Sequence, residues 1–187
     1  MDRRIKYTQK IIIDTFINLL EKKELNHITV SEICQIADIN RATFYRYYLD
    51  IYDLLNKIET KFLQELKDAI NKEDTKRYTI TTFSKQLLEV FLKNKDLVRV
   101  LFNSKNNAKF LNEILEIAYY HCKTIWQYES PSINDEDIEY ATIFIFNGAL
   151  GIINYWIQND FDKVIDELTL LIEDISYNGI SKFIYKK

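Results

Sequence analysis

The residues best suited to making specific contacts lie together near the start of the chain. Within residues 29–48, TVSEICQIADINRATFYRYY, the run from Arg41 to Tyr47 carries two guanidinium groups, the hydroxyls of Thr43, Tyr45 and Tyr47, and no carboxylate. A face of cations and hydroxyls with no competing acid suits hydrogen bonds to phosphate oxygens and to base edges. The charge balance points the same way. Residues 1–48 hold eight basic side chains against six acidic ones, net +2, in a chain whose formal net charge is −3, so the remainder is at −5. A polyanion would be drawn to the first part and repelled by the rest, which sets a docking polarity.

Two short helices must position that face. Thr29 and Glu32 form a T-x-x-E capping-box pattern in front of Ile33, Ile36 and Ala37, and Asn40 caps a second segment, Arg41 to Tyr47. About three residues separate them, which is helix-turn-helix spacing, and Ile33, Ile36, Ala37, Ile39 and Phe44 are placed to form a shared core. An amphipathic helix over about Lys6 to Lys23 precedes them, with Ile12, Phe16, Leu19 and Leu20 on one face. Asp50 and Asp53 open a long helix striped by Ile51, Leu55, Ile58, Phe62, Leu66 and Ala69, reaching about Asn71.

Beyond that helix the polar stretch NKEDTKRYT, residues 71–79, marks a junction. Helical periodicity resumes in Ile80, Phe83, Leu87 and Phe91, in Leu97 to Phe102, and in Leu111, Ile114, Ala118, Cys122 and Ile125. Ser130, Pro131 and Ser132 interrupt it, and two long helices follow over roughly Asp135 to Gln158 and Lys163 to Ile184. The expectation is an all-α chain of about nine helices: a helix-turn-helix domain over residues 1–50 and a helical domain over 51–187.

Composition excludes several alternatives. Three glycines, Gly148, Gly151 and Gly179, and one proline leave few hairpins or strand crossovers, and no spacing of these glycines makes a phosphate-cradling loop. Two histidines, no nucleophile motif and no metal-ligand spacing argue against an enzyme. The only soft ligands are His27, Cys34, His121 and Cys122, without close pairing, so neither a metal nor a cofactor is expected. Two distant thiols and no apolar leader segment suggest the reducing cytoplasm. The uncharged run Tyr140 to Asn159 imitates a membrane span but carries Thr142, Asn147, Asn154, Gln158 and Asn159, and is better read as a helix buried on all sides, with no membrane partner.

That helix is apolar all round. Gly148, Ala149 and Gly151 permit close approach, so it can pair with a second copy in a four-helix bundle with the last helix, through Gly148, Ala149, Gly151, Ile152, Tyr155, Trp156, Leu168, Ile172 and Ile175. The alternative is a helix at the centre of a monomer. Tyr119, His121, Cys122 and Trp126 cluster on one helix, with Phe83, Phe91, Phe102 and Phe110 nearby in sequence; ordinary core packing accounts for most of them, and an aromatic cavity lined by Phe83, Phe102, Tyr119, Cys122 and Trp126 is the functional alternative.

The segment TVSEICQIADINRATFYRYYLDIYDLL resembles the helix-turn-helix signature of TetR-type transcriptional regulators, the resemblance covering about residues 8–57. FNGALGIINYWIQNDF resembles a dimer-helix segment found in part of that family. The resemblance implies a homodimer bound to a palindromic double-stranded DNA operator, usually a repressor, released by a small apolar or aromatic effector held among the C-terminal helices. Carried over by position, Arg41 and Ala42 face base edges and Arg46 a base or phosphate. Thr43, Tyr45, Tyr47, Thr29 and Ser31 hold phosphates, while Phe44 and Tyr48 belong to the core. Two positions depart from the family pattern: Asp38 stands where Gly is frequent, and Ile51 where a phosphate-binding Lys is frequent. With Ile51 there, either the DNA backbone is held more weakly or an N-terminal arm carrying Arg3, Arg4 and Lys6 compensates. A helical regulator or co-activator that works through a protein partner, with little direct DNA reading, is the alternative function.

Overall fold

The computed structural model describes residues 3–70, 79–103, 108–129 and 134–184. Among them lie nine α-helices and no strand: α1 Arg3–Leu20, α2 Val30–Ile36, α3 Arg41–Tyr45, α4 Ile51–Ile70, α5 Ile80–Lys93, α6 Lys95–Asn103, α7 Ala108–Glu129, α8 Asp135–Gln158 and α9 Ile165–Ile184. A 3-10 turn, Leu25–His27, joins α1 to α2. The all-α expectation holds. The junction at 71–79 and the Ser130–Pro131–Ser132 break lie almost wholly outside the described residues. The chain forms two compact units, one built on residues up to Leu63 and the other from Gln64 onward, with the division falling inside α4.

In the first unit α1 packs on α2 and α2 on α3. Ile12 and Phe16 from α1, Ile33 from α2, Phe44 from α3 and Leu54 from α4 are fully buried. Each such side chain contributes about 1.5–3 kcal/mol of transfer free energy, which holds helices too short to persist alone. Ile36 does not join them and is 58% exposed. With only two turns, α2 fills its inward side with Ile33, Cys34 and Ala37, which turns Ile36 to solvent.

In the second unit α5 packs against α9, α7 against α8, and α8 against α9. Helix α8 is not buried on all sides as its composition suggests. Trp156, Ile157, Ile153 and Thr142 are buried, whereas Tyr140, Ile143, Phe144 and Tyr155 are exposed. It is the one described helix long and apolar enough to cross a membrane. The turn after it puts Asp160 and Phe161 at φ 58° and 59°, in the left-handed region. Phe161 N–H bonds back to the Trp156 carbonyl at 2.8 Å. The Phe161 ring meets Trp156 edge-on at 4.8 Å and lies 5.7 Å from the Arg99 guanidinium, which also pairs with Asp160.

A non-glycine residue in that conformation costs about 1 kcal/mol relative to glycine. Removal of the ring destabilises the protein in either variant, but Phe161→Gly is expected to be more stable than Phe161→Ala by about 1 kcal/mol in urea unfolding, the reverse of the usual order.

Candidate nucleic-acid interface

The acid-free face is set by a turn and two caps. Thr29 caps α2, its Oγ1 accepting the Glu32 N–H at 3.2 Å. The other half of the expected capping box does not form, because the Glu32 carboxylate accepts from Lys23 Nζ at 2.6 Å instead. Helix α2 ends in a left-handed residue, Asp38 at φ 51°, and the Ile39 N–H reaches back to the Cys34 carbonyl at 3.0 Å. That six-to-one bond is a Schellman closure made without glycine. Asn40 then caps α3, its Oδ1 accepting from Thr43 N–H at 2.7 Å and from Thr43 Oγ1 at 2.9 Å.

Helix α3 is thereby anchored by Phe44, with Tyr48 buried behind it, and turns its remaining side chains outward. Arg41, Ala42, Tyr45 and Arg46 are exposed, and Thr43 and Tyr47 are half-buried. Thr29 and Ser31 are exposed at the start of α2. Arg41 and Arg46 have no ion-pair partner among the described residues. Burial pushes the Cys34 thiol above its ordinary value, and the Arg41 charge offsets this in part. Because the Thr43 hydroxyl already donates to Asn40, a phosphate contact there would compete with the cap, whereas the Thr29 hydroxyl uses only its oxygen.

Ile51 is buried at the start of α4, so no cation occupies that position. Arg3, Arg4 and Lys6 lie within the first turns of α1 and not in an extended arm. A cation that the sequence reading did not single out stands at the α3–α4 connection. Lys57 Nζ donates to the Tyr47 carbonyl at 2.8 Å and to Asp53 Oδ2 at 2.9 Å, and lies 5.4 Å from the Tyr48 ring centre. The same Asp53 oxygen accepts the Leu49 N–H at 2.9 Å, and Asp50 Oδ1 accepts the Asp53 N–H at 2.8 Å. Side chains of α4 therefore hold the segment that follows α3 by its backbone. The signal available in the sequence was the i, i+4 spacing of Asp53 and Lys57.

The residues expected at a dimer contact divide into two groups. Gly148, Gly151, Tyr155 and Ile175 are exposed, and Ala149 and Ile152 are half-buried. Trp156, Leu168 and Ile172 are buried within the unit itself and cannot present side chains to a second copy. The amphipathic register of α8 and α9 instead sets Ile143, Phe144 and Leu171 among the exposed apolar positions.

Of the expected cavity residues, Phe83, Cys122 and Trp126 line an apolar cavity of about 50 Å³ enclosed by α5, α7, α8 and α9. Phe102 and Tyr119 do not line it. Phe102 packs edge-on against Phe91 at 5.6 Å, and the Tyr119 ring lies 5.8 Å from Lys123 Nζ. Burial pushes the Cys122 thiol up to about 12.

A TetR-type family model, described as a transcriptional regulator C-terminal region, matches residues 78–178. The HTH-type dhaKLM operon transcriptional activator DhaS of Lactococcus lactis subsp. lactis (strain IL1403) is 40% identical over 62 residues, 33% of each chain. An HTH-type regulator of Bacillus subtilis (strain 168), YxbF, is 33% identical over 71 residues, 37% of this chain and 19% of its own. The matched stretches thus span a third or less of those relatives. Among solved structures, the dihydroxyacetone kinase operon activator DhaS superposes with a TM-score of 0.62 at 22% identity, covering 95% of this chain and 98% of its own. The SmeT–triclosan complex does so with a TM-score of 0.65 at 14% identity, covering 92% and 91%.

The Lys57 ammonium first, and the Leu49 N–H second, hold the Asp53 carboxyl below its ordinary value. A depressed carboxylate contributes stability above its unfolded pKa, near 3.9, and loses it as pH falls through the folded value. In an NMR titration Asp53 is expected below the ordinary carboxylate range, and Lys57→Met is expected to move it upward. An unmoved Asp53 would exclude Lys57 as the cause.

Proposed function

The chain belongs to the TetR family of transcriptional regulators, and from that premise we propose that it is a cytoplasmic, homodimeric repressor that binds a palindromic operator and is released by a small apolar or aromatic effector. Residues 1–50 form the DNA-binding domain in this reading, and residues 51–187 the regulatory and dimerisation domain. The observation that carries it is the acid-free face of α3, where Arg41 and Arg46 are exposed, and without an ion-pair partner among the described residues, beside the hydroxyl of Tyr45. An exposed cation without a partner inside the chain is available to phosphates and base edges at no cost in broken ion pairs.

Arg41 and Ala42 read base edges, Arg46 a base or phosphate, and Thr29, Ser31, Thr43, Tyr45 and Tyr47 hold the backbone. Two such modules are needed because one buries little surface and reads few base pairs. The exposed apolar side of α8 supports the pairing. Phe144 is 73% exposed and Tyr155 67%, and a Cβ built on Gly148 or Gly151 meets nothing within 4 Å. Glycine inside a helix costs about 1 kcal/mol relative to alanine, and no described residue crowds these two positions. A second α8 lying close across that face gives it a use.

Effector binding in the α5–α9 cavity would act by favouring a dimer whose recognition helices no longer match adjacent major grooves, about 34–36 Å apart, through tilting of α4. Activation is a second reading, favoured by the Lactococcus lactis relative DhaS, which is a transcriptional activator. Both readings require operator binding, and promoter geometry separates them.

Selection of bound duplexes from a random pool tests the central claim: an enriched palindrome, a steep negative salt slope and one dimer per duplex are expected. Absence of enrichment would favour action through a protein partner. On the selected duplex, Arg41→Ala and Arg46→Ala are each expected to weaken binding by about 1–3 kcal/mol where the guanidinium bonds a base. Arg41→Ala that still discriminates the operator from random DNA as well as the parent would remove Arg41 from base reading. Phe144→Asp is expected to give a monomer by sedimentation with unchanged helical content, because the side chain packs against little in its own chain.

A further inference from the structure

Two serines face the α5–α9 cavity. Ser84 on α5 and Ser176 on α9 both line it, yet they are only 7% and 2% exposed. A buried helical hydroxyl ordinarily bonds back to the carbonyl one turn earlier, as Thr142 does to Ile138 at 2.6 Å. Neither serine hydroxyl has a hydrogen-bond partner among the described residues; Thr169 Oγ1 is the side-chain atom there that is both unpaired and wholly enclosed, so the two serine oxygens, unlike it, keep a little open surface. Burying an unpaired hydroxyl is unfavourable, and alanine at either position would avoid that cost while leaving the helix intact. Both residues border the space that the surrounding apolar side chains leave open.

The rest of the lining restricts what can enter. Phe83, Cys122, Trp126 and Ile172 are representative, and no charged side chain is among the lining residues. His121 stacks on Phe83 at 5.9 Å between ring centres, and burial pushes it below its ordinary value, so it brings no positive charge to the site. A carboxylate or ammonium moved into such walls would lose its hydration with no opposite charge to replace it. The volume, about 50 Å³, holds only a few heavy atoms, so the ligand is small or spreads the helices as it enters.

From these walls we propose that the cavity takes a small uncharged molecule with an apolar body and one hydroxyl or carbonyl group, which Ser84 and Ser176 hold by hydrogen bonds. The inference rests on the effector reading above and gives the ligand its chemistry.

A panel of monosubstituted benzenes tests it: the isosteres phenol and toluene, and the slightly larger ions benzoate and benzylammonium, added to the full chain. Binding is read from the melting temperature and from the emission of Trp126, which lines the cavity. The other tryptophan, Trp156, is engaged through its indole N–H with the Lys163 carbonyl at 3.0 Å and does not line it. Phenol is expected to bind more tightly than toluene, and the two ions not at all. Ser84→Ala and Ser176→Ala are each expected to weaken phenol by about fivefold and leave toluene unchanged. Both variants are expected to melt no lower than the parent without ligand, which separates loss of a ligand contact from loss of fold. Equal binding of phenol and toluene that neither alanine alters would overturn the assignment of the serines. Benzoate binding as well as phenol would overturn the exclusion of charge, and a cavity that takes none of the four would overturn the whole inference. Phenol that binds as expected while operator affinity stays unchanged would leave the ligand class standing and remove the release mechanism proposed above.

Discussion

Three described residues hold a left-handed backbone, Asp38, Asp160 and Phe161, and none of them is glycine. A chain with three glycines, all in its last quarter and all within α8 or α9, must make its sharp turns by other means. Each left-handed turn is therefore held by bonds from outside the residue concerned. At Asp38 the Ile39 N–H closes onto the Cys34 carbonyl. At Asp160 and Phe161 an Arg99 ion pair, a ring against Trp156 and a backbone bond to the Trp156 carbonyl share the task. The first turn sets the angle at which α3 leaves α2, and the second sets how α9 returns along α8. Helix-turn-helix geometry and the exposed apolar side of α8 both depend on turns of this kind.

Much of this was legible before any coordinates. Side-chain caps are local, so Thr29 and Asn40 could be read from residue type and spacing, and both cap the helices expected. Helical periodicity located the longer helices, most of which cover a core with a definite stripe, and the caps located α2 and α3. The left-handed turn at Asp38 was legible as well, since an aspartate tolerates it where most residues do not.

Residue type alone failed where a side chain had a choice of long-range partners. Glu32 had a local partner within reach and took Lys23 instead. Ile36, Trp156, Leu168 and Ile172 are all apolar, and only the packing of neighbouring helices decides which face turns in. Tyr119 and Phe102 were indistinguishable from cavity residues until their ring partners were known. Serines at 84 and 176 look like ordinary helix residues in a sequence. What sets them apart is that neither hydroxyl has a partner among the described residues, which no spacing rule reports.

Cys122 gives the cavity a further property. A thiol pushed up to about 12 is almost wholly protonated at neutral pH. Thiolates, not thiols, attack electrophiles and enter disulfide exchange, so an alkylating agent that reached this wall would react there only slowly. The packing of the second unit thus holds Cys122 in its unreactive form, and a thiol placed among apolar walls serves there as one more small apolar surface.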